Sequence, residues 1–187
     1  GYLFQAQKAL QWSFENNTLD TSANSNNGYI YGNPQYVEGL FGKCLHFDGS
    51  DSVQDSYTYN LPTSPDSKWS INLYAFPDAP VTNNNMVAGF GWLENNRLRF
   101  ISTQDGKIMF HGHNPWVVSD EFWAQDQWQM VSVTYDGSKI RVYKNAQLIG
   151  IEHHIFSQSA INTAKVAYGA WSSPGFKGKV DEFTIWD

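Results

Sequence analysis

Trp128 to Glu152 reads WQMVSVTYDGSKIRVYKNAQLIGIE, and this stretch decides the fold. Gln129, Val131, Val133 and Tyr135 alternate with Met130, Ser132 and Thr134, and both sets favour the β-branched and aromatic residues that suit a pleated surface. Asp136-Gly137-Ser138 supplies a turn, Ile140, Val142 and Tyr143 carry a second strand, and Asn145-Ala146 turns the chain into Leu148, Ile149 and Ile151. The pattern predicts a three-stranded antiparallel meander. No helix-start signal or stripe at helical spacing competes with it.

Outward from this meander the same signals recur. Leu10–Phe14, Gly28–Tyr31, 41–49, Trp69–Phe76, Met86–Trp92, Arg97–Ile101, Lys107–His111, Lys165–Ala170 and Lys177–Trp186 read as strands. Turn residues such as Glu94-Asn95-Asn96 and Gln104-Asp105-Gly106 separate them. Residues 15–28, ENNTLDTSANSNNG, have almost no apolar side chain and read as a polar loop, and residues 114–127 read as an irregular segment holding Trp116 and Trp123. About a dozen short strands with turn chemistry between them predict an all-β, two-sheet antiparallel sandwich, with residues 1–187 as one domain.

The totals narrow the function. With 8 Trp, 10 Tyr and 12 Phe in 187 residues, the chain has rings for two facing sheets and some to spare for a ligand. Only 16% of residues are charged and the formal net charge is -6, so no basic stripe exists to displace phosphate counterions and nucleic acid is excluded as a partner. No apolar run approaches the roughly 20 residues that span a bilayer, so membrane insertion is not expected. Cys44 is the single cysteine; it lies in a strand pattern and reads as a buried, inert thiol. Gly1 in place of Met is read as an excised domain or a mature chain.

The order of several motifs is specific. Trp12-Ser13-Phe14-Glu15, then Asp20-Thr21-Ser22-Ala23-Asn24, then FGKCLHFDG at 41–49 come first. Residues 128–137 with Val142-Tyr143-Lys144-Asn145 follow, and FKGKVDEFTIW at 176–186 closes the chain. Together they resemble the laminin-G-like, concanavalin A-like jelly-roll family. The resemblance implies a jelly-roll sandwich. That fold hosts lectins, carbohydrate-binding modules, adhesion domains, glycoside hydrolases and polysaccharide lyases, so the site must choose among them.

In that family, acidic residues matching Glu15, Asp20 and Asp181 share a structural calcium. The expected ligand set here is Glu15, Asp20, Asn26 and Asp181, completed by loop carbonyls toward the six to eight or so oxygens a hard cation takes. Glu15 stands where the family more usually has Asp. Asp181 also shares strand parity with Phe183 and Ile185, so its carboxylate is expected to face the core and to need a partner. The alternative is a set of Asx turns and a strand-end Asp bonded to backbone amides.

Trp92, Trp116, Trp123 and Trp171 lie outside clean strand patterns and are the candidate stacking residues, whereas Trp12, Trp69 and Trp128 read as core. Asn95, His111, His113 and Arg99 are the candidate groups for reading sugar hydroxyls. His111, His113, Tyr143, Arg97 and Arg99 also supply the residue types a polysaccharide lyase uses, but the lyase strand pattern is absent, as is the Glu-x-Asp-x-x-Glu strand of the fold's hydrolases. Zinc on the histidines is disfavoured because His153 and His154 alternate faces on a strand. The reading is a non-catalytic carbohydrate-binding or adhesion module of a secreted or cell-surface protein, with a structural calcium and a glycan or polysaccharide partner. The rivals are a lyase or hydrolase with a divergent site, and a laminin-G-type domain that binds a protein or glycoprotein receptor.

Overall fold

The computed structural model describes residues 6–55, 60–81, 85–91, 97–112, 116–169 and 174–187. In chain order its strands are β1 (Lys8–Trp12), β2 (Tyr29–Tyr31), β3 (Gln35–Glu38), β4 (Lys43–Asp48), β5 (Ser52–Gln54), β6 (Trp69–Pro77), β7 (Met86–Gly91) and β8 (Leu98–Gln104). They continue with β9 (Lys107–His111), β10 (Trp116–Phe122), β11 (Gln129–Tyr135), β12 (Lys139–Lys144), β13 (Gln147–His153), β14 (Ala164–Val166) and β15 (Lys177–Trp186). One sheet runs β13-β12-β11-β6-β15-β4-β3, with β1 also on β15, and the other runs β10-β9-β8-β7-β14-β5-β2. All pairings are antiparallel, and the architecture is the expected jelly-roll sandwich. No helix among the described residues is long and apolar enough to cross a membrane.

The meander forms as its alternation demands. Val131, Val133 and Tyr135 of β11 face inward beside Leu73, Ile71 and Trp69 of β6, in direct cross-strand register. Asn145 and Ala146 take φ of 49° and 66°, the left-handed pair that a two-residue hairpin turn needs, and Asp105-Gly106 does the same between β8 and β9 at 51° and 78°. Ala146 has a Cβ where glycine would carry no steric cost. Ala146→Gly is therefore expected to raise stability by up to about 1 kcal/mol in urea unfolding, with no change elsewhere.

Between the sheets, Trp69 is ringed by Phe90, Phe110 and Tyr135 at 5.6–5.7 Å, with Phe156 at 6.4 Å. At the other end Trp12 packs on Phe183 at 5.6 Å, and its indole N–H donates to the Asn26 carbonyl at 2.8 Å. These contacts fix both sheets at one spacing and leave the outer faces to carry function.

Several expectations change. The segment read as irregular contains a strand, β10, and the first strand ends at Trp12 because Phe14 takes φ of 60° and turns its ring into the core. Trp128 does not join the core: it is half-buried on the outer face, edge-on to Phe76 at 5.6 Å. Asp181 does not share a face with Phe183 and Ile185 either. Val180 pairs Ala75 and Asp181 pairs Tyr74, but the next pair in register is Thr184 with Asn72, so a bulge intervenes. Glu182 sits in that bulge at φ 51°, which resets the alternation and points Asp181 outward with Tyr74.

Candidate functional site

The outer face of the second sheet carries one unbroken cross-strand row. Trp116 lies opposite His111, His111 opposite Phe100, Phe100 opposite Gly89, and Gly89 opposite Lys165. Lys165 then pairs Gln54, and Gln54 pairs Tyr29. Directly opposed residues share a face, so this row crosses the whole sheet, about 29 Å at 4.8 Å per strand. Its centre is covered. Tyr168 packs on Met86, Leu98 and Phe100, and it lies 3.9 Å from the Lys165 ammonium. Lys165 is 3% exposed and donates to Gln54 Oε1 at 2.9 Å; burial lowers its pKa from 10.5 to about 8.

The open part of the face is the β10 edge. Trp116 is 52% exposed, yet its indole is braced by the edge-on imidazole of His111, 5.0 Å away at 71°. Val118 stands next along the same face, and Phe122 closes the ladder opposite Lys107. Between them Lys107 Nζ approaches Asp120 Oδ1 at 3.3 Å and lies 5.7 Å from the Phe122 ring. The strand itself is anchored from beneath, where Ser119 is buried and donates to the Ile108 carbonyl at 2.7 Å. The result is a rigid, solvent-facing strip of apolar surfaces with a donor and an acceptor between them. Such a strip can stack on the apolar face of a sugar while hydrogen-bonding its hydroxyls.

Of the expected ligand-binding residues, the structure brings Trp116 and His111 into contact. Trp123 and Arg99 are corrections. Trp123 is 7% exposed and packs on Phe176 at 6.1 Å, because β10 delivers it inward at its end. Arg99 is 1% exposed: it pairs Phe90 on the inner face, lies 3.3 Å from the Phe156 ring and donates to the Leu98 and Gln158 carbonyls at 2.8 and 3.3 Å. Burial lowers its pKa to about 9. Trp92, Asn95, His113 and Trp171 lie outside the described residues. Reasoning from sequence missed Val118, Asp120, Phe122 and Lys107, although the alternation of Trp116 and Val118 with Val117 and Ser119 was there to be read. The described members of the lyase set do not converge. His111 is on the outer face of one sheet, Tyr143 is on the other sheet opposite Ser132, and Arg97 donates to Gln158 Oε1 at 3.1 Å.

The four expected calcium ligands divide into two groups. Asp20 Oδ1 accepts from the Gln11 and Ser22 amides at 2.9 and 2.8 Å, and Oδ2 accepts from the Asn26 amide and Ser22 hydroxyl at 2.8 and 2.7 Å. Asn26 turns its Nδ2 to the Ala9 carbonyl at 3.2 Å. This pair organises the polar loop through amides, and four donors leave Asp20 little room for a cation.

Glu15 and Asp181 instead grip one loop from two sides. The Lys43 amide donates to both Glu15 oxygens at 3.1 Å, and the Leu40 and Phe41 amides donate to Asp181 Oδ2 at 3.0 and 3.1 Å. Gly39 and Gly42 make this approach possible, since a Cβ at Gly39 would crowd Asp181 and one at Gly42 would strike Glu15. Asp181 is fully buried, burial raises its pKa from 3.8 to about 6, and Oδ1 has no hydrogen-bond partner among the described residues. That oxygen is the open acceptor at this loop, and among the described residues no three His, Cys, Asp or Glu side chains cluster as a metal site. Cys44 lies beneath the same loop, and its thiol is pushed up to about 12 by burial first and by Asp181 next, which makes it inert.

A family model described as the concanavalin A-like lectin/glucanases superfamily matches residues 47–187. No curated protein sequence matches the chain. Among solved structures, domain 4 of AbnA, a GH43 extracellular arabinanase from Geobacillus stearothermophilus, in complex with arabinotriose, superposes with a TM-score of 0.76 at 21% identity, covering 98% of this chain and 93% of that one. The binding domain of Paraclostridial Mosquitocidal Protein 1 gives 0.76 at 14% identity, covering 96% and 48%. The binding domain of botulinum neurotoxin DC in complex with SialylT gives 0.68 at 15%, again covering 96% and 48%. This chain thus spans about half the length of either toxin binding domain.

Proposed function

This chain belongs to the concanavalin A-like lectin/glucanases superfamily, and from that premise we propose that it is a carbohydrate-binding module whose platform is the Trp116–Phe122 edge. The observation that carries the reading is Trp116: a half-exposed indole on a rigid edge strand, held edge-on by a buried His111. A large apolar ring braced on one edge and kept half open to solvent fits the apolar face of a sugar. The arabinotriose and SialylT complexes of two proteins with this fold support the same class of ligand. The low proportion of charge, 16%, supports a module of a secreted or cell-surface protein.

Calorimetric titration tests this reading with arabinotriose and a panel of neutral oligosaccharides. The wild type is expected to bind at least one of them, and Trp116→Ala to weaken it at least tenfold with the unfolding temperature unchanged within about 2 °C. Equal affinity in the variant would refute the platform. No glycan binding by the wild type would favour a protein-binding domain.

The Glu15–Asp181 loop is the calcium site in this reading, with a structural role: the cation would neutralise the buried Asp181 carboxylate and pin residues 39–43. Adding calcium to chelator-treated protein is expected to raise the unfolding temperature, with Asp181→Asn abolishing the gain. A gain that survives in the variant places the cation elsewhere.

A further inference from the structure

The turn after β6, the approach to β7 and the start of β15 enclose an open cleft of about 170 Å³. Its apolar wall is Pro80, Val81 and Pro174, and Asp48 and Lys177 stand at its rim as a direct cross-strand pair. The wall is built in place. The buried Asn85 donates through Nδ2 to the Pro174 and Gly175 carbonyls at 2.7 and 3.2 Å, and the Gly175 amide donates to the Gly49 carbonyl at 2.8 Å. The Asp78 amide reaches the Lys177 carbonyl at 3.3 Å, which holds the turn against β15.

We propose that this cleft is a second carbohydrate site, which takes one terminal sugar ring of a neutral glycan. The size argues for one ring, because a cavity of about 150 Å³ holds benzene. The lining argues for a sugar, since a ring with an apolar face and hydroxyl edges meets an apolar wall and a rim that both accepts and donates. The charges argue for a neutral one. Asp48 and Lys177 cancel, and Ser50 holds the Asp48 carboxyl below its usual range through bonds of 2.8 and 2.7 Å to Oδ1, so the rim offers an acceptor and a donor without net attraction for an ion. The cleft adjoins the far end of the β10 edge, because a Cβ on Gly106 would lie 3.4 Å from the Phe122 ring and 3.5 Å from the Val81 carbonyl, whereas Trp116 stands at the other end of that strand. The proposal rests on the carbohydrate-binding reading for its class of ligand only.

Saturation-transfer NMR tests it with arabinose, xylose, galactose and glucose as separate probes. At least one monosaccharide is expected to receive saturation from Trp116→Ala protein as strongly as from the wild type. Adding Ala79→Trp, which fills the cleft from its exposed turn, is expected to cut that transfer at least fivefold, and Lys177→Met to do the same by removing the donor. Thermal unfolding confirms that each variant folds. No transfer from any probe to the wild type, or transfer that persists in both cleft variants, overturns the proposal. Because every comparison is made on the Trp116→Ala background, failure here is distinct from failure of the β10 platform, which oligosaccharide titration reports.

Discussion

Trp69→Ala is expected to destabilise the domain by about 3–5 kcal/mol, the largest loss from any single ring. Trp69 is almost fully buried, and its four aromatic neighbours come from β7, β9, β11 and the segment after β13, so one side chain ties both sheets together. The truncated site cannot collapse, because Phe90, Phe110 and Tyr135 are themselves held by their strands. Phe156 would also lose its support, and with it the ring face that lies 3.3 Å from the buried Arg99 guanidinium. For a domain of this size the midpoint of thermal unfolding is expected to fall by about 10 °C. Circular dichroism melts of the wild type, Trp69→Phe and Trp69→Ala give the test: the Phe variant should lie between the others. A shift under about 3 °C for the Ala variant contradicts this account of the core.

The second large effect is a pH dependence. In calcium-free buffer the domain is expected to lose stability as pH rises from about 4 to about 6 through Asp181. Its folded-state pKa of about 6 lies above the ordinary 3.8, so the folded protein binds the proton more tightly than the unfolded chain. The difference makes folding more favourable below the lower value. That advantage disappears across the window as ionisation leaves a buried charge. The interval corresponds to about 3 kcal/mol, an upper estimate. Urea midpoints across this range, compared with Asp181→Asn, isolate the group: the wild type should fall relative to the variant as pH rises. Saturating calcium should flatten the difference, because a cation on Oδ1 stabilises the carboxylate. A wild type that instead gains on the variant with rising pH contradicts the assignment of Asp181 as an underpartnered buried acid.

Much of the fold was legible because the meander repeats one local rule. Each residue of β11 announces its face, and the paired turn residues Asn145-Ala146 and Asp105-Gly106 announce the reversals. What was lost depends on single irregularities. The bulge at Glu182 rests on a left-handed φ in a non-glycine residue, which leaves no mark in the sequence, and it overturned the face assigned to Asp181. Arg99 read as a hydroxyl reader because a charge in a strand usually faces water; its cover, Phe156, arrives from more than fifty residues away. Trp116 was singled out as a candidate for stacking, but its element was missed, because Asp120-Glu121 blurred the alternation that Val117 and Ser119 carry. Asp20 supplied the right residue type for a cation, and only its four donors reveal its role in the loop.

The central claim is that sugar meets the protein at Trp116. The most direct measurement follows the indole N–H resonances in a two-dimensional ¹H–¹⁵N spectrum as an oligosaccharide that binds in calorimetry is added. The account predicts that the Trp116 signal, assigned from the Trp116→Ala spectrum, shifts in a saturable way while those of the buried Trp12, Trp69 and Trp123 stay in place. Saturable binding that leaves the Trp116 resonance unmoved would contradict it.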